Sequence, residues 1–227
     1  MIRLTPLAVL ILAACAITAA PPLVVPGGAP QGAETLRLEG LDGGREGEVS
    51  LRGWQGAYER QFSTSETNRW DQQRFDGSFW LSDGASEAVG ICAMREGLLQ
   101  APAPFLQTVQ VPAVRYVYDC ELEASGRPGR LQIGEVVTST FSPAGDRRGV
   151  AYLDGGPALE VRSLHQLEGV GLRSTMPYGY VLLDGARTVG VVDLVDDRPV
   201  LRLVRADDPA AETAALAALS LAFLQTE

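Results

Sequence analysis

The uncharged run at residues 213–226 constrains the fold more than any other feature of this chain. Asp208-Pro209 reads as a helix start, with Asp as N-cap and Pro at the first helical position. From Ala210 to Leu224 the chain is almost wholly alanine and leucine, and after Glu212 no charge appears until Glu227. A surface helix shows a polar face about every 3.6 residues. The helix expected over 209–225 shows none over about three turns. At 1.5 Å per residue its apolar run spans roughly 22 Å, too short to cross a bilayer. It should therefore be surrounded by protein, with Leu216, Leu219, Phe223 and Leu224 nearly inaccessible and Ala215, Ala218 and Ala222 likewise. The alternative is a helix packed on an open sheet with its small residues facing solvent.

What surrounds it should be β-structure. Short apolar runs broken by turn residues predict strands at 35–40, 48–53, 56–63, 74–81, 87–95, 114–123, 129–138, 148–153, 157–163, 178–184, 187–194 and 199–205. Hairpin signals join several of them: Asp154-Gly155-Gly156-Pro157, Asp184-Gly185 and Asp196-Asp197. Even spacing of this kind argues an antiparallel meander or β-barrel of about 12 strands, with the C-terminal hydrophobic helix packed in or on it. Leu98 to Pro112, with Pro102, Pro104 and Pro112, reads as a long loop over the barrel mouth or rim.

Tyr178-Gly-Tyr-Val-Leu-Leu-Asp-Gly-Ala-Arg-Thr-Val-Gly-Val-Val-Asp, then Pro199-Val-Leu-Arg-Leu-Val, then Asp208-Pro to Leu224, together resemble the tubby C-terminal-like fold, which includes scramblase-like proteins. That resemblance covers roughly the last 100 residues. It implies a 12-stranded barrel wrapped around a C-terminal hydrophobic helix. The eukaryotic members bind phosphoinositides through basic positions, whereas this chain is acidic and free of lysine, so no binding residue carries over. The runner-up is a lipocalin-like barrel, in which a C-terminal helix packs outside and needs a polar face.

The N-terminus speaks to address. Arg3 supplies a positive n-region, Leu7 to Ala14 an apolar h-region too short to span a bilayer, and Leu12-Ala13-Ala14-Cys15 matches a bacterial lipoprotein signal. By the logic of such signals, Cys15 receives a diacylglyceryl group, becomes the new N-terminus and is acylated again. Ordinary secretion, with cleavage after Ala19 or Ala20, is the alternative. Ala16, not Asp, follows the cysteine, which in proteins resembling this one favours the outer membrane. The expected organisation is a signal peptide at 1–14, a Pro/Gly-rich tether at 15–33 and one domain at 34–227.

With Cys15 lipidated, Cys92 and Cys120 remain as an even pair in an oxidising compartment, each in a strand-like run. A disulfide there would close a loop of about 28 residues and contribute about 3 kcal/mol by chain entropy. Two buried free thiols are the alternative. No metal site is expected, because the cysteine spacing is wrong and His165 is the sole histidine. All 19 basic residues are arginine, which excludes a lysine Schiff base and a Walker-type lysine, and no cofactor is expected. The net charge of −9 argues against nucleic acid and against an electrostatic grip on anionic headgroups.

Candidates for chemistry are few. His165 could act as a base, but no Gly-x-Ser-x-Gly motif accompanies it. The pairs Asp196-Asp197 and Asp207-Asp208 could bind calcium; they also stand where a turn wants Asp and a helix wants a cap. Glu59, Glu66, Asp71 and Asp76 could supply two glycosidase carboxylates. Residues 54–80 hold all the tryptophans with Arg60, Arg69 and Arg74 interleaved. Trp54, Tyr58, Trp70 and Trp80 could form an aromatic binding surface, or the ring of side chains could face a core. The expectation is a non-enzymatic envelope lipoprotein, held to the membrane by its N-terminal lipid and binding an amphiphile or an envelope protein. An envelope hydrolase acting on glycan or lipid is the alternative.

Overall fold

A computed structural model describes residues 20–41, 44–67, 70–103, 106–136, 145–196 and 198–224; the side chains of 66–71 and 98–114 lie outside that description. Twelve antiparallel strands form one sheet: β1 (Glu34–Arg37), β2 (Glu46–Leu51), β3 (Trp54–Thr67), β4 (Trp70–Ser82), β5 (Glu87–Ala103), β6 (Leu106–Ala124), β7 (Arg127–Glu135), β8 (Arg147–Leu153), β9 (Leu159–Leu164), β10 (Gly179–Asp184), β11 (Arg187–Asp193) and β12 (Val200–Leu203). From β2 to β12 each strand pairs with its sequence neighbour, and β1 returns to pair with β12. The two ends of the sheet meet where Glu39 bridges Ser50, whose amide donates to the Glu39 carbonyl at 3.3 Å. The sheet is a nearly closed barrel with a one-bridge seam.

Eight strands already enclose a space that side chains can fill; twelve leave a wider lumen. Helix α1 (Ala211–Ala222) fills it. It touches β11 and β5, which stand halfway round the sheet from one another, as well as β8, β10 and β12. Leu216, Ala218, Leu219, Leu221, Ala222 and Phe223 are all buried. The absent polar face is thus explained by strands on every side. Two departures appear. The helix begins at Ala211 rather than 209, because the Asp208 carboxylate accepts the Ala210 amide at 2.9 Å and the Asp208 carbonyl accepts the Ala211 amide, forming a turn ahead of the first α bond. Ala215 and Leu224 are only partly buried: Ala215 faces a pocket at the barrel end where the helix begins, and Leu224 lies past the last residue of α1.

The carbonyls of the last helical turn would be orphaned in this apolar interior. Phe223 donates to Leu219, Leu224 donates to Leu221, and the Tyr118 hydroxyl donates to the Ser220 carbonyl at 2.6 Å. Aromatic rings pack around this end. Phe223 stacks on Phe79 at 5.3 Å and meets Tyr58 at 5.4 Å. Room for the rings comes from glycines: a Cβ at Gly90, on the strand facing Phe79, would stand 2.2 Å from that ring, and one at Gly77, two residues along the same strand as Phe75, would stand 2.5 Å from Phe75.

Cys92 and Cys120 face each other across β5 and β6, both buried, and are bonded with their Cα atoms 4.0 Å apart. The segment 98–112 is not a loop. β5 and β6 run on as a paired hairpin, with register shifts near Arg95–Leu98 and Ala101–Ala103. Prolines lack an amide donor and fit a strand at such irregularities; Pro112 stands opposite Leu98 beside one of them.

The proline-rich segment expected to be a tether packs on the barrel from Pro22 onward; Cys15 and residues 16–19 lie outside the described residues. Leu23 bridges Leu167, and with Leu164, Val181 and Val191 it forms a second apolar cluster on the outer face of β9–β11. The strap then runs past Thr188 at Gly27 and reaches Pro30 near Arg187. It covers the outside of β10 and β11, so those strands are buried on both faces and read as unbroken apolar runs. The missed signal was Leu23-Val24-Val25, an apolar triplet with surface to bury.

Candidate functional site

The turns at 52–53, 83–86, 125–126, 154–158 and 185–186 all lie at one end of the barrel, here the hairpin end, which is also where the chain enters α1; β3–β4 and β5–β6 connect at the other end. Between the helix and strands β2, β4, β5 and β6 the hairpin end holds a pocket of about 290 Å³. Its wall is Leu51, Leu81, Ala88, Leu216 and Leu219, with Trp54 and Ala215 at the mouth. That volume is near the lower edge of ligand cavities, roughly 300–1,000 Å³. Small side chains create it: Ala88 and Ala124 on the strands oppose Ala211 and Ala215 on the helix.

Charge is confined to the rim. Arg52 lies in the tight β2–β3 turn with a positive φ of 54°, followed by Gly53 at 82°, the pair of left-handed residues that a two-residue hairpin requires. The Arg52 guanidinium pairs with Glu34 at 3.0 Å and donates to the Val204 carbonyl at 2.5 Å. Glu212 pairs with Arg127 across the mouth. An apolar slot with an Arg–Glu rim suits a molecule having one greasy end and one polar end.

The aromatic set divides. Residues directly opposite in antiparallel strands share a face, and Tyr58 pairs with Phe79 while Trp80 pairs with Ala57. Tyr58 therefore points inward and is 3% exposed, whereas Trp80 points outward and is 45% exposed, along a shallow outer groove with Glu39, Glu48 and Gln55. Trp54 shares the inward face and lines the pocket mouth. The side chain of Trp70 lies outside the description. The four do not make one binding surface, because strand alternation sends Tyr58 into the core and Trp80 to the opposite face.

The opposite end of the barrel interior is polar, and sequence reading missed it. Arg147 is 9% exposed; its guanidinium carbon sits 3.5 Å from the centre of the Tyr116 ring and a nitrogen donates to the Tyr180 hydroxyl at 3.3 Å. Glu96 approaches it at 3.9 Å. Burial holds the Glu96 carboxyl above its usual range, and the charge of Glu135 adds to this against the pull of Arg147. Burial also raises the Tyr116 and Tyr118 hydroxyls well above their ordinary value. The signal for Arg147 was parity: it shares the inward side of β8 with Ala151 and Leu153.

Beside this cluster His165 is 4% exposed. Its Nδ1 lies 3.0 Å from the Ser174 carbonyl, which can only accept, so Nδ1 carries the proton of the neutral ring. Nε2, 2.8 Å from Ser163 Oγ, then accepts the Ser163 hydroxyl, and Ser163 Oγ accepts the Arg147 amide at 2.8 Å. Burial and the nearby Arg173 keep the imidazole below its usual pKa, while Asp146 at 3.6 Å works in the other direction. These bonds tie the 165–178 segment to β8 and β9.

Of the other candidate carboxylates, Asp208 and Asp76 are held in ion pairs. Asp208 binds Arg187 and caps Ala210, which holds its carboxyl below the usual range. Asp76 pairs with Arg74 on the outer face at 2.6 Å, and Glu59 stands opposite Ser78 on the same face. The side chains of Glu66 and Asp71, and all of Arg69 and Asp197, lie outside the description. Among the described residues no group of three or more His, Cys, Asp or Glu is placed to hold a metal, and no helix is long and apolar enough to cross a membrane. No family model matches this chain, and neither a curated protein nor a solved structure does.

Proposed function

We propose that this protein is a lipid-anchored envelope protein, acylated at Cys15 and sorted to the periplasmic face of the outer membrane, whose barrel is a non-enzymatic binding module for a small amphiphile. The observation that carries the reading is the apolar pocket at the hairpin end, lined by Leu51, Leu81, Leu216 and Leu219 with Trp54 at its mouth. Its walls offer burial to an alkyl group, at about 25 cal/mol per Å², and its rim offers paired charges to a polar head. The helix-filled barrel supports the tubby-like resemblance and leaves that pocket as the interior space open to a ligand at this end.

Two measurements test the reading. Incorporation of a palmitate analogue should label the wild-type protein and spare Cys15→Ser; equal labelling would end the anchor. Titration with octanoate, followed by Trp54 fluorescence and calorimetry, should saturate with wild type. Ala215→Trp, which fills the mouth from a partly exposed position, should abolish binding and leave the thermal melt unchanged. Equal binding by wild type and Ala215→Trp, or no binding by either, contradicts the proposal.

The hydrolase reading has one observation in its favour, the Ser163–His165 hydrogen bond at 2.8 Å. Ser163 Oγ already accepts the Arg147 amide, and that contact holds strand ends together. A fluorophosphonate probe should leave Ser163 unlabelled.

A further inference from the structure

The two most exposed large apolar side chains among the described residues both lie between β9 and β10: Leu172 at 82% and Met176 at 61%. This segment, 165–178, sits at the end of the barrel opposite the hairpins. Its base is fixed. The Ser174 amide donates to the His165 carbonyl at 2.9 Å, so the chain between them forms a loop that turns at 167–170 and carries Leu172 on its returning limb. Val170 packs inward against the cluster around Leu23, while Leu172 has no such cover.

The N-terminal strap docks on this same loop, and its direction matters. Leu23 pairs antiparallel with Leu167; the Val24 amide donates to the Gln166 carbonyl and the Glu168 amide to the Pro22 carbonyl. In an antiparallel pair, residues ahead of Leu23 run alongside residues after Leu167. The chain leaving toward Ala20 therefore heads for the side of the loop that carries Leu172. From Ala20 back to Cys15 the backbone can reach at most about 18 Å in any conformation. An acyl group on Cys15 thus keeps Ala20, where the strap leaves this end of the barrel, within about 18 Å of the bilayer surface.

We infer that the 165–178 loop is a membrane-facing surface whose partner is the lipid bilayer itself, with Leu172 and Met176 entering the headgroup–acyl boundary. This rests on acylation of Cys15. Local charge permits it: the 165–178 loop carries one acid, Glu168, and one base, Arg173, which pairs with Asp146, in a chain of net charge −9. The acyl chains on Cys15 suffice as an anchor; apolar side chains beside them would fix which side of the domain faces the bilayer. The geometry also turns the hairpin end, with its pocket, away from the membrane.

The test uses the full-length acylated protein in vesicles of phosphatidylethanolamine and phosphatidylglycerol. Leu172→Cys, Met176→Cys and, at the opposite end, Ala85→Cys each carry an environment-sensitive NBD label, and the mass of the mature N-terminal peptide reports the lipid on Cys15. At positions 172 and 176 the emission should shift to the blue and rise severalfold, and nitroxide-bearing lipid should quench it; at 85 none of this should occur. If Cys15 is acylated and the label at 172 behaves like the label at 85, the loop does not face lipid and the inference is overturned while the anchor stands. If the label at 172 is equally shielded in detergent without bilayer, a protein covers the loop and the inference is overturned as well. A Cys15 without lipid overturns the anchor and this inference together.

Discussion

At the scale of single residues, the least legible part of this protein is its buried polar end. Arg147, Glu96, Tyr116 and Tyr180 come from four strands far apart in sequence, and no local spacing links them. A buried arginine is tolerable here because the Tyr116 ring and the Tyr180 hydroxyl replace water, with Glu96 at 3.9 Å supplying opposite charge. His165 shows the same dependence on context. Read alone, a lone histidine admits either a base or a hydrogen-bonded structural residue; in the fold it is buried and bonded to both Ser163 and Ser174. Its depressed pKa has a measurable consequence. The folded state holds the ring neutral, whereas the unfolded chain takes up a proton near pH 6.5. Acidification below that value therefore favours unfolding until the folded-state pKa is also passed. Urea midpoints of the wild type should fall between pH 7 and pH 5. In His165→Gln, which leaves no histidine, the midpoint should be lower at pH 7 and should lose this fall over that interval, any remaining change being the rise expected as the buried Glu96 carboxyl takes up its proton. Parallel curves for the two proteins would show that His165 is not held neutral.

At the scale of elements, alternation and turn chemistry carried most of the information. Each of the twelve expected strands overlaps one in the structure, since apolar residues at every second position have a single way to face a core. Elements whose rules were overridden by pairing were misread. Leu98 to Pro112 looked like a loop because prolines weaken a strand, yet the long β5–β6 hairpin takes up Pro102 and Pro112 beside its register shifts. The aromatic segment at 54–80 admitted a binding surface or a core because sequence shows proximity but not side; Tyr58 and Trp80 differ by an even number of residues, but the β3–β4 hairpin between them places them on opposite faces. Glycines in strands were equally opaque. Gly90 is the space that Phe79 occupies while it stacks on Phe223. Gly90→Ala should overpack that contact and cost about 1–3 kcal/mol, lowering the melting temperature by about 2–4 °C per kcal/mol. Gly134→Ala, whose added Cβ would meet nothing closer than 3.9 Å, should melt much closer to wild type. Equal melts for the two variants would show that the ring does not need that space.

At the scale of the whole molecule, three features follow from one another. A twelve-stranded barrel has a lumen too wide for strand side chains alone; a helix without a polar face has nowhere stable to be except inside protein; and each resolves the difficulty of the other. The pocket by Trp54 and Ala215 is what the helix leaves unfilled at the hairpin end, and the polar cluster around Arg147 occupies the other end. The strap at Leu23 closes the outer face of β9–β11, which places residues 20–33 on the domain itself rather than between it and a membrane. Fully burying one Leu or Phe contributes about 1.5–3 kcal/mol. The contacts of Leu216, Leu219, Leu221 and Phe223 are therefore comparable to the whole stability of a typical domain, about 5–15 kcal/mol. The central claim, that the helix is enclosed on every side, is tested most directly by thermal melts of Leu219→Arg and Ala218→Arg measured side by side. Leu219 and Ala218 are both fully buried although they lie on different sides of the helix. An unpaired charge at either costs several kcal/mol. Both variants should lose the cooperative transition or melt far below wild type. If Ala218→Arg melts within a few degrees of wild type while Leu219→Arg unfolds, one side of the helix is open to water and the enclosed-helix barrel is wrong.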